Sequence, residues 1–404
     1  MKFSVLKNTF KEESCYKAFL LSVVVTGLSY GLYKGIIDNY LADVVLIGEM
    51  DRGITEFFRE LPGIALIFIL AAFYMLSAET LYKIGAVIML VGMAMHAIVP
   101  PTQALVTLAI CVYSLGEHIQ IGMKSALSLQ YSKPGAEGIA QGFQNSANQV
   151  GLLAGYVLVI AAFSLLSTQP FIPFFALASV LAGASLLLSF KMKGHSSAED
   201  GASRFYFSKK YSKYYMLEMF YGARKQVFIT FGPYVLILFY GANAAAVSTL
   251  FAVSAVACLL LSPIVGRIID KVGYKTVMVA DTLILVIVCF FYGFAHHIFS
   301  METAFYICCA NYVLDAVISM ASMASNVYVQ DISDSEEEIK ATISTGVSIN
   351  HVITVFIALF GGWICQSLGI ETLFIISAVL GLCNSAYAAT IKVGKSDKTQ
   401  TNDI

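Results

Sequence analysis

Gly266-Arg267-Ile268-Ile269-Asp270-Lys271-Val272-Gly273-Tyr274-Lys275 is a short charged turn, bounded by glycines, set between two apolar stretches at 245–266 and 275–295. Loops rich in Lys and Arg resist translocation, so a basic turn between two apolar runs marks the cytoplasmic side of a membrane. Outward from it in both directions, runs close to the roughly 20 apolar residues that a span needs recur. They lie at 18–46, 53–77, 84–99, 103–125, 138–166, 170–190, 214–240, 302–328, 340–365 and 371–391. Together these make twelve predicted spans, and 58% hydrophobic against 13% charged residues excludes a soluble fold. The first run is too long for a removable signal peptide and carries Lys34 and Asp38 within it.

The basic residues set the threading. With an inside N-terminus, the inner segments hold Lys2, Lys7, Lys11 and Lys17, then Lys83, then Lys124 and Lys133. They go on with Lys191, Lys193, Arg204, Lys209, Lys210 and Lys213, then Arg267, Lys271 and Lys275, then Lys340, and finally Lys392, Lys395 and Lys398. The outer loops hold Arg52 alone, while Lys34, Arg59, Arg224 and Lys225 lie inside spans. This asymmetry predicts a multi-pass protein of the cell (inner or plasma) membrane with both termini cytoplasmic. The lipid bilayer is its main partner. A net charge of −1 carries no footprint for nucleic acid, since the bases serve topology. Of eight cysteines only Cys15 lies outside a span, and no ligand-like Cys/His spacing occurs, so no disulfide, metal or other cofactor is expected.

A polar interruption at 191–213 divides the chain into two halves, 1–190 and 214–404. It contains Gly194-His195-Ser196-Ser197 and several lysines, too little apolar surface to fold alone, and reads as a cytoplasmic linker. The halves echo one another. Span 1 has Tyr30-Gly31-Leu32-Tyr33-Lys34 where span 7 has Tyr221-Gly222-Ala223-Arg224-Lys225, and Asn148 of span 5 matches Asn350 of span 11. Matches at the same ordinal helix point to duplication.

The turn at 266–275 resembles the G-x-x-x-D-[RK]-x-G-x-[RK] signature of the major facilitator superfamily, and with six spans on either side of a linker the resemblance covers essentially the whole chain. It implies an all-α membrane protein of twelve transmembrane helices in two pseudo-symmetric six-helix bundles, expected here as a monomer. Gly266 and Gly273 would permit a tight turn and close helix approach. Asp270 could meet a neighbouring helix N-terminus, and Arg267, Lys271 and Lys275 could face inner-leaflet charge, so the motif would latch the inward side. Ser335-Glu336-Glu337-Glu338 has capping-box spacing and is either a partner for the latch or a solvated helix start. The equivalent turn of the first half, Ala78-Glu79-Thr80-Leu81-Tyr82-Lys83, lacks both glycines and should be built differently.

Ionisable groups in hydrocarbon cost several kcal/mol unless they meet a partner or water, so they mark the helix faces that line a wet path. They gather on span 1 (Lys34, Asp38), span 2 (Glu56, Arg59, Glu60), span 4 (Glu117, His118), span 7 (Glu218, Arg224, Lys225), span 10 (Asp315) and span 11 (His351, beside Asn350). Span 5 adds a stripe of Gln141, Gln144, Asn145 and Asn148 at helical spacing. Spans 3, 6 and 12 have no such charge in their interiors, and span 9 has only Asp281. In the superfamily that the chain resembles, helices 1, 4, 7 and 10 line the path, 2, 5, 8 and 11 flank it, and 3, 6, 9 and 12 face outward.

The predicted solute-binding residues are Tyr30, Lys34, Asp38, Arg59, Gln144, Asn148, Arg224, Lys225 and Asn350, because bases converging from both halves suit an organic anion. Against this, Lys34 with Asp38 and Glu56 with Arg59 have the spacing of self-neutralised structural pairs. Glu117, His118, Asp315 and His351 fall near mid-span, where burial brings such groups toward the working pH, and are the candidates for proton coupling. The expected function is a secondary active transporter that moves a small polar, anionic organic solute by alternating access with protons. The alternative is a proton-coupled exporter of drugs or metabolites, although the proline-containing span 5 motif of such exporters is reduced here to Gly151-Leu152-Leu153-Ala154-Gly155. No phosphate-binding loop for ATP and no catalytic set for an intramembrane hydrolase occur, so an enzyme is not expected.

Overall fold

The computed structural model describes residues 9–73, 76–166, 168–192 and 207–392, and these fold almost wholly as helix. In chain order come α1 (Glu13–Asp43), α2 (Glu49–Ala72), α3 (Ala78–Ile98), α4 (Gln103–Tyr131), α5 (Glu137–Leu165) and α6 (Phe171–Ser189). After a 3-10 turn at Lys209–Tyr211 follow α7 (Ser212–Tyr240), α8 (Ala244–Val272), α9 (Tyr274–Ile298) and α10 (Met301–Ile332), the last with a 3-10 stretch at Ser319–Ser322. The final helix, Glu336–Ala389, is broken at Gly369, whose φ of +87° only glycine adopts without strain. Its parts are α11 (336–368) and α12 (370–389). Most of the linker (193–206) and Lys2, Lys7, Lys395 and Lys398 lie outside the described residues, as do the side chains of Glu336, Glu337 and Lys340.

Among the described residues, nine helices are long and apolar enough to cross a membrane, the α11–α12 helix counting as one. The protein is therefore a multi-pass membrane protein. α2 and α7 are not among the nine because charged residues interrupt their apolar runs, Glu56, Arg59 and Glu60 within α2 and Arg224 and Lys225 within α7.

The chain forms two compact units. The first comprises Met1–Leu46, Phe58–Ala202 and Asn243–Ala252. In it α1 packs chiefly on α5 and α6, and α3 on α4 and α6. Small residues make the α1–α5 approach close enough for backbone contact: a Cβ added at Gly155 would lie 2.7 Å from the Cα of Gly31. Without a hydrophobic drive between helices in lipid, hydroxyls add adhesion. Ser22 and Thr26 of α1 bond Ser185 of α6 at 2.8 and 2.6 Å, and Ser22 also meets the Tyr82 hydroxyl at 3.0 Å. Tyr33 packs against Tyr113, Phe175 and His96, and Tyr40 against Phe171 and Phe175, so both rings are core. The start of α8 joins this unit through Ser248, which donates to the Gly35 carbonyl at 2.9 Å.

The second unit comprises Ile47–Phe57, Ser203–Ala242 and Val253–Ile404. Here α7 packs on α11, where the Asn350 side chain fills the space a Cβ at Gly222 would need, and α9 packs on α12 through Thr282, which donates to the Gly381 carbonyl at 3.1 Å. The pairing of first with fifth and third with sixth helix thus recurs in both units. The echoed Tyr30-Gly31 and Tyr221-Gly222 have one purpose: each glycine admits the fifth helix of its own half. The first turns of α2 belong to this unit. A Cβ at Gly362 would fall 2.8 Å from the Glu49 carbonyl oxygen, and the Tyr234 hydroxyl donates to the Ile47 carbonyl at 2.5 Å.

Candidate functional site

In the second unit the polar centre is built on α7. Arg224 is 1% exposed and its Nη2 donates to Asp281 Oδ2 of α9 at 3.1 Å. Its Nε and Nη1 are buried with no hydrogen-bond partner among the described residues. Its guanidinium also stacks over Tyr221, 5.1 Å from the ring centre, and Lys225 approaches the same ring at 5.9 Å. Asp315 of α10, 8% exposed, lies within electrostatic reach of Arg224, Lys225 and Asp281. Two cations and two carboxylates thus share one small volume. Asp281 lines a narrow cleft with Glu218, Tyr221, Ser322, Ser325 and Asn384. Glu218 accepts from Ser325 at 2.8 Å, and Asn350 donates to the Glu218 carbonyl at 3.3 Å. His351 is half-buried one position further along α11, and its carbonyl accepts from Thr354.

The expected outward orientation of the ninth and twelfth helices therefore needs correction for two side chains. Asp281 of α9 and Asn384 of α12 turn into this cleft, because one face of each helix is buried against the unit. Asp281 is the candidate site residue that sequence reasoning undervalued. Its only signal was that it is the single charge inside its span.

A second ionic cluster in the same unit joins α2 to α7. Arg52 pairs with Glu56 at 2.8 Å, and Gln226 donates to Glu56 at 2.9 Å. Arg52, read from sequence as an outer-loop residue, lies within α2 one turn before Glu56 and on the same face.

In the first unit Lys34 pairs with Asp38 at 2.8 Å, as the four-residue spacing predicts, and Lys34 also lies 5.1 Å from the Phe251 ring centre. Arg59 pairs with its neighbour Glu60. On α4, His118 Nδ1 donates to the Ser114 carbonyl at 2.8 Å. Glu117 lies within electrostatic reach of Tyr30, Tyr113, Tyr156 and Lys124. The amide stripe of α5 divides. Gln144 is buried, Asn145 is exposed, Gln141 donates to Ser125 of α4 at 3.2 Å, and Asn148 accepts from Lys124 at 3.1 Å. Lys124, counted from sequence as an inner-loop base, lies well inside α4 and adds a cation beside Glu117.

The charged turn closes differently from expectation. Gly273 has φ +82° and makes the turn, whereas Gly266 is still helical and a Cβ there would meet nothing within 4 Å. Asp270 is exposed and, among the described residues, bonded to nothing, because the helix end leaves it pointing to solvent. The contacts fall to the next residues: Tyr274 donates to Asp331 at 2.8 Å and Lys275 to the Ile391 carbonyl at 2.9 Å. Arg267 and Lys271 are exposed. The cap forms, Ser335 accepting from the Glu338 amide at 3.2 Å, while the Glu338 carboxylate accepts from the amide of Asp334, one residue before the cap, at 2.8 Å. Lys210 then clamps Asp334 and Glu338 at 2.7 and 3.1 Å. Its partners, Asp334 above all, hold the Lys210 ammonium above its ordinary titration range. In the first half Glu79 is fully buried and accepts from Gln130 at 2.7 Å and Tyr131 at 3.2 Å, a different construction altogether.

Comparison with known proteins agrees with this architecture. Residues 214–402 match the model of the Major Facilitator Superfamily. No curated protein matches the sequence. Among solved structures, a mutant form of the nucleoside transporter NupG superposes with a TM-score of 0.75 at 16% identity, over 94% of this chain and 100% of that one. A POT family transporter in complex with 5-aminolevulinic acid gives 0.73 at 11% identity, over 92% and 94%. A bacterial homologue of the lysosomal transporter Spinster gives 0.70 at 12% identity, over 97% and 99%. The second half of the chain thus matches the Major Facilitator Superfamily model in sequence, and the fold of these transporters is shared over nearly the whole length of the chain.

Proposed function

We propose that this protein is a secondary active transporter that carries a small polar, anionic organic solute by alternating access, coupled to protons. The observation that carries the reading is Arg224: a fully buried guanidinium with one nitrogen on Asp281 and two nitrogens unpartnered among the described residues. Leaving such donors unmade in a low-dielectric site is costly, and a carboxylate or phosphate presented as a fork would satisfy them. Asp281 and Asp315 supply the coupling. Protonation of either weakens the hold of the carboxylates on Arg224 and leaves its charge for the solute, so proton and anion load together. Glu117, near Lys124 in the first unit, is a coupling group in its own right, required together with Asp281 and Asp315 for proton-driven accumulation. Proteins of like fold include a nucleoside transporter and a POT family transporter crystallised with 5-aminolevulinic acid, which supports a small polar cargo over a lipophilic one.

The test is uptake of candidate organic anions into proteoliposomes under an imposed pH gradient. Accumulation driven by outside acid, with substrate-dependent alkalinisation outside, supports symport. Acidification on substrate addition would favour the exporter reading, and absence of any gradient effect would refute proton coupling.

A further inference from the structure

Two adjacent histidines close the last turn of α9, and a carboxylate 74 residues away meets both. His297 Nε2 lies 2.9 Å from Glu371 Oε1, and His296 Nε2 lies 3.3 Å from the same oxygen. The two imidazole rings are 3.9 Å apart at their centres, and one ligand atom from each of the three side chains falls within 4.8 Å of the other two. Neighbouring residues on a regular helix point about 100° apart, so rings this close need the helix end to bring them together. The site is also built on the Glu371 side. Gly369, with φ +87°, breaks the preceding helix and starts α12, which sets Glu371 in its first turn facing the end of α9. His296 packs its ring on Phe239 at 4.7 Å and has a buried Nδ1 with no partner among the described residues, so its orientation is fixed by packing.

We propose that His296, His297 and Glu371 form a binding site for a divalent transition-metal ion, of which Zn2+ is the best fit. Two imidazole nitrogens and one carboxylate oxygen are the donor set of three-ligand zinc sites, which keep a fourth position for water. Imidazole donors select zinc, nickel or copper over magnesium and calcium, which prefer oxygen. Zn–N and Zn–O bonds of about 2.0–2.2 Å place tetrahedral donors roughly 3.3 Å apart, so donors already within 4.8 Å need only a small contraction. The exposed edge at His297 offers entry. The ion would tie the end of α9 to the start of α12 across the break at Gly369. Spacing in the sequence hid the site, because the pair His296-His297 lacks a local third ligand.

The site is independent of the transport reading and is tested on purified protein carrying no histidine tag. Zn2+ is titrated by calorimetry and its effect on the melting temperature measured, with Mg2+ in parallel. One Zn2+ per chain, a melting temperature raised by Zn2+ but not by Mg2+, and reversal by EDTA are expected. His297→Ala and Glu371→Gln should each weaken binding at least about 100-fold, more than loss of an outer-shell partner does. His297→Gln, at an exposed position, serves where another variant does not fold. Absence of stoichiometric Zn2+ binding, equal binding by these variants, or the same stabilisation from Mg2+ would overturn the proposal.

Discussion

Arg224 of α7 and Asp281 of α9, 57 residues apart, form a 3.1 Å ion pair in which the Arg is 1% and the Asp 8% exposed. The carboxylate takes only one arm of the guanidinium, and the other two nitrogens stay buried without a partner among the described residues. A buried pair in this condition is poor at stabilising the fold, because desolvation of both ions offsets their attraction.

Breaking this pair from one side should therefore cost more than removing it. Arg224→Ala or Asp281→Asn alone leaves an uncompensated buried group and should cost about 3–5 kcal/mol. The double variant should recover much of that. Thermal unfolding of the four proteins in one detergent checks it, and additive losses would mean that the two residues act separately.

Glu117→Gln should separate exchange from accumulation. The amide keeps shape and hydrogen bonding but carries no proton, so counterflow of solute should survive while pH-driven accumulation falls toward background. Wild-type accumulation in that variant would clear Glu117 of coupling and leave Asp281 and Asp315.

The two glycines of the charged turn should respond in opposite ways. Gly273→Ala forces a side chain into φ +82° with ψ 147° and should destabilise by about 1–3 kcal/mol. Gly266→Ala meets open space within a helix and should be neutral or stabilise by up to about 1 kcal/mol. Melting temperatures of the two variants decide it. Equal losses would mean that Gly266 has a contact not accounted for by its helical position.

At the start of α11, Ser335→Ala should cost about 1 kcal/mol through the lost cap. Lys210→Ala should cost less, because Asp334 is largely exposed and salt screens the pair. Since the folded-state titration of Lys210 is raised, its contribution is fully present at and below the ordinary lysine range and is lost only as the solution becomes strongly alkaline. A melting curve at high salt that erases the Lys210 effect but leaves the Ser335 effect is the expected outcome.

Much of the helical framework was legible because length and apolarity are local properties, and so were the Lys34–Asp38 pair and the Ser335 cap, which depend on residues within one turn. The Tyr-Gly echo of spans 1 and 7 was legible too, although its purpose emerged only when Gly31 met α5 and Gly222 met Asn350. What sequence did not yield are partnerships fixed by the rotation of one helix against another. Arg224 with Asp281, Gln226 with Glu56, Lys124 with Asn148, and His296 and His297 with Glu371 all join distant segments. The boundaries of α2 and α4 mattered as well: a few extra residues of helix moved Arg52 and Lys124 from loops into polar clusters.

The central claim, that Arg224 grips an anionic solute, is tested most directly by solute counterflow in proteoliposomes without a proton gradient, comparing wild type with Arg224→Ala and Arg224→Lys. Counterflow abolished in the Ala variant and much weakened in the Lys variant, with both proteins folded and inserted, is the predicted result. Undiminished counterflow of an anionic solute in Arg224→Ala would contradict it and leave Arg224 a structural partner of Asp281.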